Sequence, residues 1–265
     1  MLETISKFFR PQVAKPLPSI PAGRRVYAVG DIHGRRDLFD VLIAAIEADD
    51  KSRAQAETTI VLLGDLVDRG PDSAGVIAAA RELAARRKVR ILCGNHEEMF
   101  LRCFDDIEML RHFLRFGGRE TILSYPLDMA QWDAAELEEG QAIMRHAVPP
   151  RDLDFIRNFE DWIVIGDYCF VHAGIAPGVA MEQQKLHDLR WIREPFLSHR
   201  GDYGFVVVHG HTITDEPVIR SNRIGIDTGA YASGRLTALA LEGESRWLLA
   251  TDEADGVVSN ESCPA

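Results

Sequence analysis

Residues 26–34 read VYAVGDIHG and residues 59–70 read TIVLLGDLVDRG. Each is a short apolar run that stops at a glycine followed by a carboxylate. Between them Leu38, Val41, Leu42, Ala45 and Ile46 recur at helical spacing, so a helix joins the two runs. A second helix is expected from about Ser73 to Arg87. A third apolar run, Val89 to Cys93, ends at Gly94 and leads into a helical Glu97–Phe104 segment. Strand, helix, strand, helix, strand predicts a layered α/β sheet.

Outward from this core the pattern changes. Residues 105–160 look helical and irregular, with Gly117-Gly118 as a break and Pro149-Pro150 as a stop. They are expected either to cap a site or to serve as packing. Trp162–Ile165 and Tyr168–Val171 flank Gly166-Asp167 as a hairpin. Phe205–Val208, Arg223–Ile226, Leu236–Leu241 and Arg246–Leu249 are further short strands. The second half is therefore β-rich, and the predicted class is α/β with two packed mixed β-sheets flanked by helices. The domain is expected over residues 25–250, with a proline-rich flexible arm at 1–24 and a frayed acidic tail at 251–265.

The chain has 265 residues, 46% of them hydrophobic, which suffices for a sizeable core in one domain. A formal net charge of −11 argues against a broad nucleic-acid footprint. An anionic substrate must then be drawn by a local positive site. Cys93, Cys103, Cys169 and Cys263 show no CxxC spacing, and Cys93 and Cys169 lie in apolar runs where a free thiol packs as a small hydrophobe. No apolar stretch is long enough to span a membrane, and Met1–Arg10 lacks a signal-peptide core. Such a chain reads as cytoplasmic.

Five polar clusters stand where apolar strands stop: Gly30–Gly34, Gly64–Gly70, Gly94–Glu97, His172–Gly174 and His209–Thr212. Taken singly, each has a plain structural reading. Asp31-x-His33 could be a solvated turn, Asp65 or Asp68 or Asn95 a helix cap, His172 a satisfied buried histidine, and His209-Gly210-His211 a surface turn. Their conjunction, in order and each at a strand end, outweighs those readings. Ligands of open α/β sheets gather outside the carboxyl ends of strands. Carboxylates, an amide oxygen and imidazoles suit divalent Mn, Fe or Zn.

GDIHG, GDLVDRG, GNHE, HAG and GHT, in this order, resemble the signature of the PPP-type serine/threonine phosphoprotein phosphatases, bacterial type, within the calcineurin-like metallophosphoesterases. The resemblance spans about residues 25–240. It implies that Asp31 and His33 hold one metal, that Asp65 bridges two, and that Asn95, His172 and His211 complete the second site. It also implies His96 as general acid, oriented by Asp68, and Arg69 as a phosphate grip. A second phosphate-binding arginine is expected near residues 189–194, Arg193 ahead of Arg190. His209 is left as a supporting or core histidine.

Elementary chemistry agrees with that assignment. Two metals about 3.5–4 Å apart can clamp an in-line displacement and generate hydroxide near neutral pH. A shared carboxylate suits Asp65, planar guanidinium forks match phosphate oxygens, and a carboxylate-held imidazole keeps its proton for a departing alkoxide. The expected activity is phosphate removal from phosphoserine and phosphothreonine proteins, with phosphotyrosine among the candidates. The expected cofactor is a pair of divalent ions, Mn²⁺ first and Fe or Zn as alternatives. Partners are then a phosphoprotein or phosphorylated small molecule. Neither nucleic acid, membrane nor regulatory subunits are indicated, because Ile226–Ala230 stands where eukaryotic members carry a SAPNY-type segment. Other small phosphomonoesters stay open as substrates of a small-molecule phosphoesterase, and the main rival is a symmetrical diadenosine tetraphosphate hydrolase, which His172–Ile175 resembles. Asp68, Glu97 and Thr212 argue against it. A non-enzymatic binding module is a third, weaker reading, because every expected ligand is present.

Overall fold

The computed structural model describes residues 16–251 and, for the backbone, Val258–Ser262. Eleven strands appear among the described residues. β1 (Arg24–Val29), β2 (Glu57–Leu62) and β3 (Val89–Ile91) run parallel, joined by helices α1 (Arg36–Ser52) and α2 (Ser73–Arg86). Asp72 caps α2 by accepting from Gly75 N at 2.8 Å, which satisfies one of the donors a helix start leaves unpaired. Then come α3 (Asn95–Arg102), α4 (Ile107–Phe113), α5 (Arg119–Leu123), α6 (Met129–Ala134), α7 (Leu137–Ala147) and α8 (Pro150–Arg157). Pro150 opens α8 rather than only ending what precedes it, since the first helical position needs no N–H.

β4 (Trp162–Ile165) and β5 (Tyr168–Val171) form the expected hairpin. They are followed by α9 (Leu186–Trp191), β6 (Val206–His209), β7 (Val218–Ile219), β8 (Arg223–Gly225), α10 (Ala230–Ser233), β9 (Thr237–Glu242), β10 (Ser245–Thr251) and β11 (Val258–Ser262). One sheet has the order β11-β10-β9-β1-β2-β3 and the other β4-β5-β6-β8-β7. Two mixed sheets flanked by helices agree with the predicted class. The last strands depart from the expectation of a β-rich second sheet: β9 pairs antiparallel with β1 and so widens the first.

Period-two alternation explains the layers. Tyr27 and Val29 of β1, with Ile60 and Leu62 of β2, face α1 and α2 in one apolar cluster. Val26, Ala28 and Val61 face Phe170, Val206, Val208 and Ile224 of the second sheet in another. Burying each such side chain contributes roughly 1.5–3 kcal/mol. Helices α3–α8 build their own cluster around Phe100, Phe113, Ile122 and Met144, so residues 105–160 are packed onto the body. Cys93, Cys103 and Cys169 are free and buried.

Both ends differ from the flexible segments expected. Ile20 is buried against the inter-sheet cluster, its N–H donates to Gly243 O at 2.9 Å, and Ser19 donates to Asp167. The arm is thus tied down from Pro18 onward, because an isoleucine there can fill the sheet's apolar end. Val258–Ser262 adds an antiparallel edge strand to β10, since the open edge of β10 offers backbone partners that a polar tail can take. The rest of the arm (residues 1–15) and of the tail (252–257 and 263–265) lies outside the described residues. No helix among the described residues is long and apolar enough to cross a membrane.

Candidate metal centre

Each polar loop leaves the carboxyl end of a strand: Asp31 and His33 after β1, Asp65–Gly70 after β2, Asn95 and His96 after β3, His172 after β5, His211 after β6. Parallel pairing within each sheet puts these ends on one edge. The loops bend sharply to meet. His33, Asp65, Asp68, Arg69 and His211 have φ of 46, 50, 75, 67 and 62°, and they are the non-glycine residues of left-handed backbone among the described ones. Such backbone is sterically disfavoured for L-residues and persists where surrounding structure imposes it. Gly210 is required for the approach, because a Cβ there would stand 2.0 Å from Asp31 Oδ1.

Asp65 is the hub. Its Oδ2 lies 3.3 Å from His172 Nε2, 3.7 Å from His33 Nε2 and 4.0 Å from His96 Nε2. Asn95 Oδ1 lies 3.0 Å from His172 Nε2 and 2.9 Å from His211 Nδ1. Two ligand groups result, His33–Asp65–His96 and Asp65–His172–His211, each with donor atoms within 4.8 Å of one another and sharing Asp65. Asp31 sits alongside, its Oδ2 accepting from His211 N at 3.0 Å.

Outer hydrogen bonds aim the rings. His33 Nδ1 donates to Val67 O at 2.7 Å and His172 Nδ1 to Leu63 O at 2.8 Å. A carbonyl only accepts, so each Nε2 is the atom turned to the centre. Burial holds His33 well below the ordinary histidine range, and burial with the neighbouring His172 holds His211 down to about 3. Both rings are neutral, as ligation requires. For Asp65, burial works against the charged form, but His172, His96 and His33 outweigh it and hold the carboxylate well below its usual range. Asp31 goes the other way, pushed well up by burial and by the charges of Asp227 and Asp65. Asp31 Oδ1 and His211 Nε2 are buried with no hydrogen-bond partner. A buried centre of crowded carboxylates, neutral imidazoles and an unpartnered carboxylate oxygen fits divalent cations.

Beside the hub, His96 Nδ1 lies 2.5 Å from Asp68 Oδ2, and Asp68 Oδ1 accepts from Thr121 Oγ1 at 2.6 Å. Arg69 Nη2 lies 3.0 Å from His96 Nε2 and Nη1 lies 2.8 Å from His33 Nε2. Arg193 is exposed and close enough to His211 for its charge to depress that ring. Arg190 is tied to Asp161 at 2.7 Å and to Glu98 at 3.4 Å. His209 does not join the centre: its Nδ1 lies 3.0 Å from Gly210 O and its ring packs on Phe196.

Four contributors escaped the sequence reading. Glu97 accepts from the backbone N–H of Asp65, Leu66 and Gly94 at 2.8, 2.7 and 2.9 Å, clamping the Asp65 loop. Burial, then the charge of Asp65, pushes its carboxyl up to about 7. Thr121 comes from α5, whose role the pattern could not assign. Asp227 is buried near Asp31 and Asp65, and its Oδ1 accepts from Gly229 N at 2.9 Å. Tyr231 lies under the Arg69 guanidinium at 4.9 Å and edge-on to His33 at 5.6 Å. An acid or aromatic just after a strand was the one signal available for the last two.

The sequence profile described as calcineurin-like phosphoesterase matches residues 24–232. Among curated proteins, the asymmetrical bis(5'-nucleosyl)-tetraphosphatase PrpE of Anoxybacillus flavithermus is 28% identical over 80% of this chain and 88% of its own. Serine/threonine-protein phosphatase 1 of Salmonella typhimurium is 28% identical over 83% of this chain and 93% of its own. A crystal structure of a putative diadenosine tetraphosphatase superposes with TM-score 0.60 at 19% identity, covering 93% of this chain and 98% of that one.

Proposed function

The chain belongs to the calcineurin-like phosphoesterase family and is a metal-dependent phosphoesterase, and from that premise we propose that it removes phosphate from phosphoserine and phosphothreonine proteins. Asp31, His33 and Asp65 would hold one divalent ion, and Asp65, Asn95, His172 and His211 the other, with Mn²⁺ preferred. Bound ions of this kind supply Lewis acidity toward the phosphoryl group and acidify water.

The remaining work falls to the chain's own side chains. Arg69 and Arg193 take the non-bridging phosphate oxygens by their guanidinium forks. Glu97 fixes the loop that carries Asp65. His96 acts as an imidazolium: its Nδ1–H donates to Asp68, itself fixed by Thr121, and its Nε2 holds the proton for the leaving oxygen, so the carboxylate stabilises the doubly protonated ring. Burial works against the charged His96 ring, but Asp65 and Asp68 outweigh it and raise its pKa.

The observation that carries the substrate class is the buried 2.5 Å pairing of His96 with Asp68. A serine or threonine alkoxide is a strong base and needs a proton as it departs. A nucleotide phosphate is a weak base and does not.

A second reading, dinucleoside tetraphosphate hydrolysis, draws on a groove of about 640 Å³ beside Arg69, lined also by Tyr231, Asp72 and the ion pairs Arg35–Asp37 and Arg36–Asp40. Its volume could hold a polyphosphate, and most of the similar curated proteins carry tetraphosphatase names. The deciding experiment resupplies metal-stripped protein with Mn²⁺ and compares a phosphothreonine peptide with diadenosine tetraphosphate. Rapid phosphate release from the peptide with a feeble dinucleotide rate supports the proposal. Efficient dinucleotide cleavage with a feeble peptide rate replaces it with the second reading.

A further inference from the structure

Strands β5, β6 and β8 have two ends. Their carboxyl ends carry His172, His211 and Asp227. Their amino ends, about 13 Å away for a four-residue strand at ~3.3 Å per residue, open on a cavity of about 690 Å³. Asp167, Phe205 and Asn222, the residues just before these strands, line it together with Pro16–Pro18, Ile219 and the start of β10.

Its charge runs against the rest of the chain, which carries a formal net charge of −11. Arg200, Arg220 and Arg246 all line the cavity. Arg246 is only 7% exposed. Its Nε donates to Tyr168 Oη at 2.7 Å, while its Nη1 and Nη2 have no protein acceptor among the described residues. These two nitrogens are not among the buried unpartnered atoms, so they open onto the cavity and stand free for a ligand. Arg220 has no side-chain partner among the described residues, and Arg200 has only a 3.4 Å contact to Leu197 O. Neither is paired with an acid.

The two carboxylates of the cavity are engaged elsewhere. Asp167 accepts from Ser19 N and Oγ, and Asp202 accepts from Gly204 N at 2.8 Å. Arg200 and Arg220 also crowd the buried Arg223 next door, whose guanidinium is lowered by burial and then by their charges. A structural arginine cluster would be expected to recruit acids. This one is arranged around open space with an apolar wall of Leu17, Phe205 and Ile219.

We propose that this cavity is a second anion site, separate from the metal centre, that takes a small phosphomonoester with an apolar or planar body. Arg246 anchors the phosphate from below, Arg200 and Arg220 close on it from the rim, and the apolar wall covers the body. The volume matches that of small-molecule sites, and forked guanidinium groups suit a doubly charged phosphate better than a single carboxylate.

The test uses the full chain loaded with Mn²⁺ and 1-naphthylmethylphosphonate, whose carbon–phosphorus bond a phosphoesterase does not cleave, followed by naphthalene fluorescence anisotropy. Two classes of site are expected in the wild type. Arg220→Glu, an exposed change, should weaken one class at least tenfold while p-nitrophenyl phosphate turnover stays within twofold. Arg246→Lys should weaken the same class, and Arg69→Ala should spare it. Naphthylacetate, a single-charge analogue, should bind that class at least tenfold more weakly than the phosphonate. A single class of site that Arg69→Ala abolishes and Arg220→Glu leaves intact would overturn the proposal, as would equal affinity for the two probes.

Discussion

His96 and Asp68 are joined by a 2.5 Å contact between Nδ1 and Oδ2 in a pocket where both are buried. The carboxylate cannot turn away, because its other oxygen is held by Thr121 Oγ1 and its own N–H is held by Ser73 Oγ at 3.0 Å. The ring's Nε2 is therefore fixed toward Asp65 and Arg69.

Replacing this ring tests the acid role. His96→Asn is expected to lower kcat on a phosphothreonine peptide by about 10²–10³-fold, within the range general acid–base catalysis supplies. p-Nitrophenyl phosphate, whose leaving group departs without a proton, should lose less than tenfold. Metal content by elemental analysis should stay near the wild-type level. The pH profile should follow the same logic. His96 has a raised pKa, so the active protonated form prevails at lower pH and is lost as pH rises through that value. The alkaline fall in the peptide's kcat/KM should flatten in His96→Asn.

Asp65→Asn removes the oxygen that three histidines face. Both metals should be lost together, and turnover with them. Isothermal titration with Mn²⁺ checks this directly. Retention of one tight site would show that Asp65 serves a single ion.

Arg193 and Arg190 should separate cleanly. Arg193→Ala, at an exposed position near enough to His211 for its charge to act there, should raise KM and lower kcat without changing the melting temperature. Arg190→Ala breaks ties to Asp161 and Glu98 and should instead destabilise the fold by roughly 0.5–3 kcal/mol, with activity per folded molecule preserved. Thermal denaturation beside steady-state kinetics gives both readouts.

Metal removal should expose a pH dependence of stability. In the metal-free chain Glu97 is raised to about 7 and Asp31 is raised well above its usual range. A raised acid binds more protons folded than unfolded, so its contribution is present at low pH and is lost as pH rises through the folded value. Metal-free protein should therefore lose stability between about pH 5 and pH 7, relative to its metal-loaded form. Metal addition near pH 6 should release protons, measurable by titration in buffers of different ionisation enthalpy.

Much of this centre is legible in the sequence because its signals are local. An apolar run, a glycine and then Asp31, Asp65, Asn95, His172 or His211 can be read within a few residues, and parallel strands bring such loops to one edge. What escapes is whatever depends on pairing across the chain. Nothing near Thr237 says that β9 lies against β1, and nothing near Ile20 says that it closes the space between the sheets. Glu97, Thr121 and Tyr231 look like a helix acid, a helix threonine and a surface aromatic until the fold sets them against Asp65, Asp68 and Arg69. Arg246 is the plainest case, because an arginine inside an apolar β-strand discloses its surroundings only when both sheets are in place.

The left-handed backbone at His33, Asp65, Asp68, Arg69 and His211 bears on how this protein can be changed. Each such residue stores on the order of 1–2 kcal/mol, which glycine would release. Evolution in the laboratory under heat alone, with no demand for turnover, is thus expected to erode these five positions early. The survivors would be more robust and inert. Selection for activity has to act continuously on these loops, because their most comfortable sequence is not their working one.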